Sequence, residues 1–553
     1  MKFYNRPVLF LALFLAIVGF AISTMRVLNA QESPLPAPES DLVAYINAGL
    51  ARDHQEPDQL TPLGATPCVG GTAAGYPCQN VDLLSFMPLN TIGGGEGSAN
   101  WGWTDTVTGR EFAIMGRSNG TAFVEITNPT APVYLGNLPS HTSSSSWREL
   151  KTYSHYVFIV SDNNGSHGMQ VFDLGQLLAV TTPPVTFSES AHYAGVGAGH
   201  TITVNDDTGY AYILGSNTCS GGLHMVNVQT ALLPTFAGCF SSDGYTHDAQ
   251  CVIYNGPDVA HQGKEICFAY NTDTLTIVDV TNKSAPVQIS RTGYTGRGYT
   301  HQGWLTDDQQ YLTLDDELDE NNFGHNTRTY MWDVRNLDAP TMMGYHQATT
   351  AAIDHNQFFL GDYLFQANYR AGMRILDGTN IANGQLAEIG YFDIYPANNN
   401  ASFNGAWHVY PYFASGVVIV SGIEQGLFML DPHLPNEPNY LARLLNTAST
   451  ANAAPGHHAT HSFVIENLGD EDSYTLAISG NAWSTTLMTG SPITVTAGVT
   501  ATIEVEVHVP AAAAANHDTF TLTLTSTHDA NLVMTATGIT SFNQVFFPAL
   551  IKP

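Results

Sequence analysis

A short phrase returns seven times between residues 121 and 435 of this 553-residue chain. It reads TAFVEITNPTAP, HGMQVFDLGQ, GGLHMVNVQTALLP, DTLTIVDVTNKSAP, RTYMWDVRNLDAP, AGMRILDGTN and QGLFMLDPHLP. Each copy is a small residue, a short run rich in β-formers, then an acidic or amide residue with a turn behind it. Aligned on that polar residue, the copies give Glu125, Asp173, Asn227, Asp279, Asp333, Asp377 and Asp431, at steps of 48, 54, 52, 54, 44 and 54 residues. A period of this size marks a repeat architecture, in which one supersecondary unit cannot bury its apolar face alone. Before the phrase lies a hairpin, clearest in GHTITVNDDTGYAYILGS (199–216), where two alternating strands flank Asn205–Gly209. After it comes one more strand, as in APVYLGNL (131–138) or APVQISRTGY (285–294). Four antiparallel strands per period predict an all-β chain whose residues 80–445 form a seven-bladed β-propeller. A β-solenoid is the competing architecture, but its coils are shorter and lack the repeated hairpin. The segment NVDLLSFMPL (80–89) resembles an outer strand. It is expected to close the ring by joining Asn439–Leu445 or replacing it in the seventh blade, which removes free sheet edges.

The flanks carry other signals. Lys2 and Arg6 precede an apolar run from Pro7 to Ile22 and a small residue, Ala30. Residues 1–30 therefore read as a secretory signal peptide, and the protein as secreted and retained at the cell surface, with no membrane span once the signal is removed. Residues 31–79 read as a linker, a short helix over Ser40–Gln55 with Leu42, Val43, Ile46 and Leu50 on one face, and a cysteine loop. The six cysteines favour disulfides in an oxidising space, and the repeat register selects Cys68–Cys78, Cys219–Cys239 and Cys251–Cys267. At Asn446 the composition turns to Ala, Thr and Asn, which marks 446–458 as a linker. Strand-period alternation over 459–540 then predicts an immunoglobulin-like β-sandwich. Residues 541–553, ending VFFPALIKP, are a candidate sorting signal or a last strand. The net charge of -30 repels nucleic acid and anionic lipid and leaves cations or neutral ligands as partners.

Three stretches carry a family likeness: PCVGGTAAGYPCQNVDLLSFMPL, YTHDAQCVIYNGPD through EICFAYNTDTLTIVDVTNKSAP, and YTHQGWLTDDQQYLTLDDELDE. They resemble the choice-of-anchor B family, whose blades contain LVIVD-type repeats, over roughly residues 67–440. The resemblance implies an exported propeller with a variable C-terminal attachment to the cell surface. It implies no catalytic residues. Blades two and six depart furthest, since HGMQVFDLGQLL lacks the Asn-Pro turn and ILDGTNIANG carries an insertion-like sequence.

Histidine recurs at the entry of the innermost strand of five blades, as His200, His247, His301, His355 and His408, at steps of 47, 54, 54 and 53. First strands line the axis of such a ring, so these imidazoles are expected to converge there, near Asp248, Asp354 and Asn356. Such a set binds a divalent transition metal such as Zn²⁺; the competing role is to fix a turn within each blade. The acidic run Asp315, Asp316, Asp319 and Glu320, with Glu317, Asn321 and Asn322 among them, offers hard oxygen ligands for Ca²⁺ or else makes a solvated turn. Trp101, Trp103, Trp147, Trp304 and Trp407 suit a carbohydrate or peptide ligand and serve equally as core anchors. No nucleophile elbow, H-E-x-x-H or phosphate loop occurs. The functional expectations are a surface binding or adhesion module for a carbohydrate or protein of the cell envelope or its surroundings, a metal-dependent hydrolase acting at the propeller axis, or a structural surface-layer component.

Overall fold

The structure, a computed structural model, describes residues 60–542 apart from 435–439, 441, 470, 514 and 529–531. The expected signal peptide, the linker and helix up to residue 59, and the last eleven residues of the tail lie outside the described residues. Among those that are described, the strands form nine sheets, and no helix is long and apolar enough to cross a membrane.

Seven of the sheets share a core of four antiparallel strands, one for each copy of the repeated phrase. Their first strands are Gly97–Thr104, Arg148–Tyr153, Thr201–Asn205, Asp248–Ile253, Thr300–Leu305, Asn356–Leu360 and Ala406–Tyr410. Each neighbours the first strand of the next sheet, and the last neighbours the first, so the sheets close a circle in a β-propeller-like arrangement. Each sheet is covered on both faces by its neighbours, which is why the third strands read as nearly unbroken apolar runs. Between the fourth and fifth sheets, for example, Ile266, Phe268 and Ile277 pack with Leu312, Leu314 and Trp332. The recurring polar residue ends the third strand by turning it. Asp173, Asn227, Asp279, Asp333 and Asp377 each accept the backbone N–H two residues on, at 2.9–3.0 Å.

Val81–Pro88 closes the circle as the outermost strand of the seventh sheet, antiparallel to Gly426–Pro432, with Leu83 opposite Leu430 and Phe86 opposite Phe428. It therefore takes the place that Asn439–Leu445 was expected to fill. Ala442–Leu444 instead pairs with Ile465–Asn467 in one of the two remaining sheets. The expected boundary at 445 thus falls inside the C-terminal unit. The expected linker 446–458 also contains a strand, Ala448–Asn452, parallel to Thr537–Ser541. Its side chains alternate between exposed and half-buried at a sheet edge, so its composition resembles that of a linker. The two C-terminal sheets share one core that includes Phe463, Ile465, Trp483, Val505, Phe520 and Leu522.

The cysteines pair as 68–78, 219–239 and 251–267. Cys251 and Cys267 stand directly opposite each other on the first two strands of the fourth sheet. Replacing both by Ala is expected to lower unfolding stability by about 3 kcal/mol, the loop-closure contribution of a bridge of this span, as read from urea denaturation of the oxidised protein.

Candidate metal centre

At the end of the ring where the first strands enter, a small cavity is lined by Ser98, Trp147, Arg148, Glu149, His200, Thr201, His247, His301, His355, Asn356 and Trp407. Adjacent rings follow each other closely, His200 to His247 at 4.5 Å, His247 to His301 at 4.1 Å, His301 to His355 at 4.5 Å and His355 to Trp407 at 4.6 Å between centroids. Four of the five predicted histidines therefore meet. The fifth does not. His408 is buried between Trp101 and Phe358, 6.0 and 4.9 Å from their centroids, and Trp407 takes the axial place. The cause is a bulge: Ala406 pairs with Gly422 and His408 with Ser421, so Trp407 is the extra residue and the side chains after it change faces. Similar register shifts interrupt Gly97–Asn100 and Thr300–Gly303.

Each of the four imidazoles has its Nδ1 engaged by an oxygen: Asp162 Oδ2 at 2.8 Å for His200, the His301 carbonyl at 3.0 Å for His247, Asp315 Oδ1 at 3.0 Å for His301, and the Trp407 carbonyl at 2.6 Å for His355. An imidazole whose Nδ1–H is donated in this way presents the lone pair of Nε2, the arrangement that orients metal-bound histidines. The Nε2 atoms of His301 and His355 lie 3.8 Å from the two oxygens of Glu317, one each. His247, His301 and Glu317 bring ligand atoms within 4.8 Å of one another. Tyr369 donates to Glu317 Oε1 at 2.7 Å.

Burial sets the protonation of this group. It drives His247 and His301 well below the usual histidine range and His355 down to about 3, so the rings are neutral and able to ligate. It also lifts Glu317 to about 7. The cavity is half open and has a volume of about 20 Å³, room for one ion or one water molecule. Trp101 and Trp304 meet the Phe358 ring edge-on at 5.7 and 4.8 Å, and His200 is the most exposed of the four histidines.

The acidic run does not make one Ca²⁺ loop. Asp315 and Asp316 are successive strand residues and so point to opposite faces. Asp315 holds His301 and the Gln302 N–H across the bulge, whereas Asp316 accepts from Tyr294 and from the N–H groups of Gly298 and Tyr299. Asp319 and Glu320 group instead with His325. None of them is a solvated turn residue, since all four carboxylates are buried. Asp248 accepts the Ala249 N–H, Asn356 lines the axial cavity, and Asp354 is buried without a hydrogen-bond partner. The tryptophans are core residues: Trp103, Trp147 and Trp407 are buried, Trp101 and Trp304 half-buried.

The sequence reading passed over Glu317 as a member of the acidic run, and it passed over Asp162 and Tyr369 altogether. Asp162, like Asp315, sits at the end of the second strand of its sheet. An acidic residue at that register is the signal that pairs with a histidine at the strand entry.

No family model and no curated protein matches the chain. Solved structures that are similar include a protein from Lactobacillus plantarum, 14% identical over 55% of this chain and 84% of that one, TM-score 0.39. A functionally unknown protein from Desulfotomaculum acetoxidans is 11% identical over 59% and 97%, TM-score 0.39. The periplasmic gluconolactonase of Pseudomonas aeruginosa is 11% identical over 61% and 96%, TM-score 0.39. Likeness at this level carries no functional argument.

Proposed function

We propose that this chain is an exported, seven-bladed β-propeller metalloprotein, followed by an immunoglobulin-like sandwich, that holds one divalent first-row transition ion on its axis. The supporting observation is the set of four imidazoles whose Nδ1 atoms are all engaged by oxygens, three of which, His247, His301 and His355, approach the carboxyl of Glu317. Nitrogen-rich ligation with one carboxylate suits Zn²⁺, Fe²⁺ or Cu²⁺ over Ca²⁺ or Mg²⁺. His200, His247, His301, His355 and Glu317 would supply the ligands, His200 from the more open side. The ion supplies Lewis acidity. The chain's own residues keep the imidazoles neutral, orient them, exclude bulk water and hold the Glu317 carboxyl through Tyr369. Three disulfides accord with an extracellular setting. The likeness to the choice-of-anchor B family supports the same address.

The test is elemental analysis of full-length protein purified without chelator. The expected result is about one equivalent of Zn²⁺, Fe²⁺ or Cu²⁺ per chain, lost in the His247→Ala, His301→Ala double variant. Folded wild-type protein that takes up neither Zn²⁺ nor Fe²⁺ nor Cu²⁺ would overturn the reading. Asp162 is a positioning residue for His200. Asp162→Asn is therefore expected to weaken metal affinity about ten- to a hundredfold while the fold is kept, as measured by competition with a chromogenic chelator.

A further inference from the structure

Beside the fifth sheet, the short helix Asp319–Phe323 and the segment before the sixth sheet bring together a second group of buried ligating atoms. Asp319 and Asp354 are fully buried and Glu320 is 3% exposed. Oδ1 of Asp319, both oxygens of Glu320, both oxygens of Asp354 and Nε2 of His325 have no hydrogen-bond partner. The one anchored oxygen, Asp319 Oδ2, accepts from Tyr330 at 2.7 Å. Asp319, Glu320 and His325 bring ligand atoms within 4.8 Å of one another, and Asp354 acts directly on the charge of Glu320. His325 donates Nδ1–H to the Asn326 carbonyl at 2.9 Å, which leaves the Nε2 lone pair facing Asp319 Oδ2 at 3.6 Å. Two acceptors at that separation attract only with a cation or proton between them.

Folded proteins leave few buried polar atoms without partners, and an uncompensated buried carboxylate is strongly destabilising. Here five carboxylate oxygens lack a well-formed hydrogen bond; what acts on them is the Asp319–Glu320 carboxyl pair and the main-chain N–H groups of Glu320 and Asp316. Arg328, the guanidinium that acts on Asp319 from a distance, is turned to Gln347 and the ring of Tyr345. We propose that Asp319, Glu320, Asp354 and His325 Nε2 form a binding site for a divalent cation ligated mainly by carboxylate oxygen, with Mn²⁺ the best fit. Mn²⁺ accepts three carboxylates and one imidazole together, whereas Ca²⁺ takes oxygen only. The site shares no ligand with the axial centre. Asp354 and His355 are neighbours in sequence, but His355 lines the axial cavity and Asp354 does not.

The test uses chelator-treated full-length protein titrated separately with Mn²⁺ and Ca²⁺ by calorimetry, with thermal unfolding in parallel. The expected result is binding of one Mn²⁺ per chain with a rise in Tm of several degrees. Both effects should disappear in Glu320→Gln and in Asp354→Asn and persist in the axial His247→Ala variant. Tighter binding of Ca²⁺ than Mn²⁺, unchanged by His325→Ala, would overturn the assignment of a mixed carboxylate–imidazole site. Because Glu320→Gln and Asp354→Asn each remove a buried charge, the chelated variants should melt no lower than the chelated wild type. Absence of Mn²⁺ and Ca²⁺ binding in wild type, or binding that survives both carboxylate substitutions, would overturn the proposal.

Discussion

A chain that begins at Asn90 is expected to unfold at markedly lower urea than one that begins at Gln31 and to lose the proposed axial metal with the change. Val81–Pro88 is the outermost strand of the seventh sheet, and without it Gly426–Pro432 becomes an open edge. Phe86 carries much of this contact: it is 1% exposed and stacks on Phe428 at 4.3 Å. Phe86→Ala alone should cost about 3–5 kcal/mol through lost burial and the cavity left behind. The seventh sheet also supplies the Trp407 carbonyl that holds His355, so loosening it frees one imidazole of the centre. Equal urea midpoints for the two chains would show that the strand is not what closes the ring.

Lys283→Ala should be nearly as damaging, although Lys283 lies far from the axis. Its ammonium contacts Glu265 at 2.6 Å, and both groups are buried. Glu265 also accepts from Asn205 at 3.0 Å, from Thr208 at 2.9 Å and from Tyr212, so it ties the third sheet to the fourth. Removing the lysine leaves a buried carboxylate without its counter-ion, at a cost of about 3–5 kcal/mol. The paired change Lys283→Met, Glu265→Gln should recover most of that loss, because it removes both charges while keeping shape and an amide for Asn205 and Thr208. A double-mutant cycle by urea denaturation gives the coupling directly. Additive effects of the two single substitutions would refute a coupled pair.

The all-β character, the four-stranded unit and the cysteine pairing are local properties, and they were legible. Each depends on residues within one period: an alternating run, a hairpin such as Asn205–Gly209, an Asx turn such as Asp279, and cysteines on neighbouring strands. The histidine spacing was legible for the same reason, since a repeated register repeats its side-chain direction. His408 broke that rule because a bulge is decided by pairing with another strand. One extra residue at Trp407 reversed the faces, and no feature of AWHVY alone announces it.

The partners of the histidines were not legible either. Asp162 holds a histidine 38 residues away and Tyr369 reaches a glutamate 52 residues away, across sheets that meet only when the circle closes. The acidic run shows the same division: its composition announced a concentration of charge, but strand alternation sent Asp315 toward the axial centre and Asp316 to a buried loop cap. Sequence by itself determined which short segments become strands, how they repeat, and which residue types return to the same register. Tertiary structure alone decided which of those residues face one another, because hydrogen-bond pairing and burial act between segments far apart in the chain.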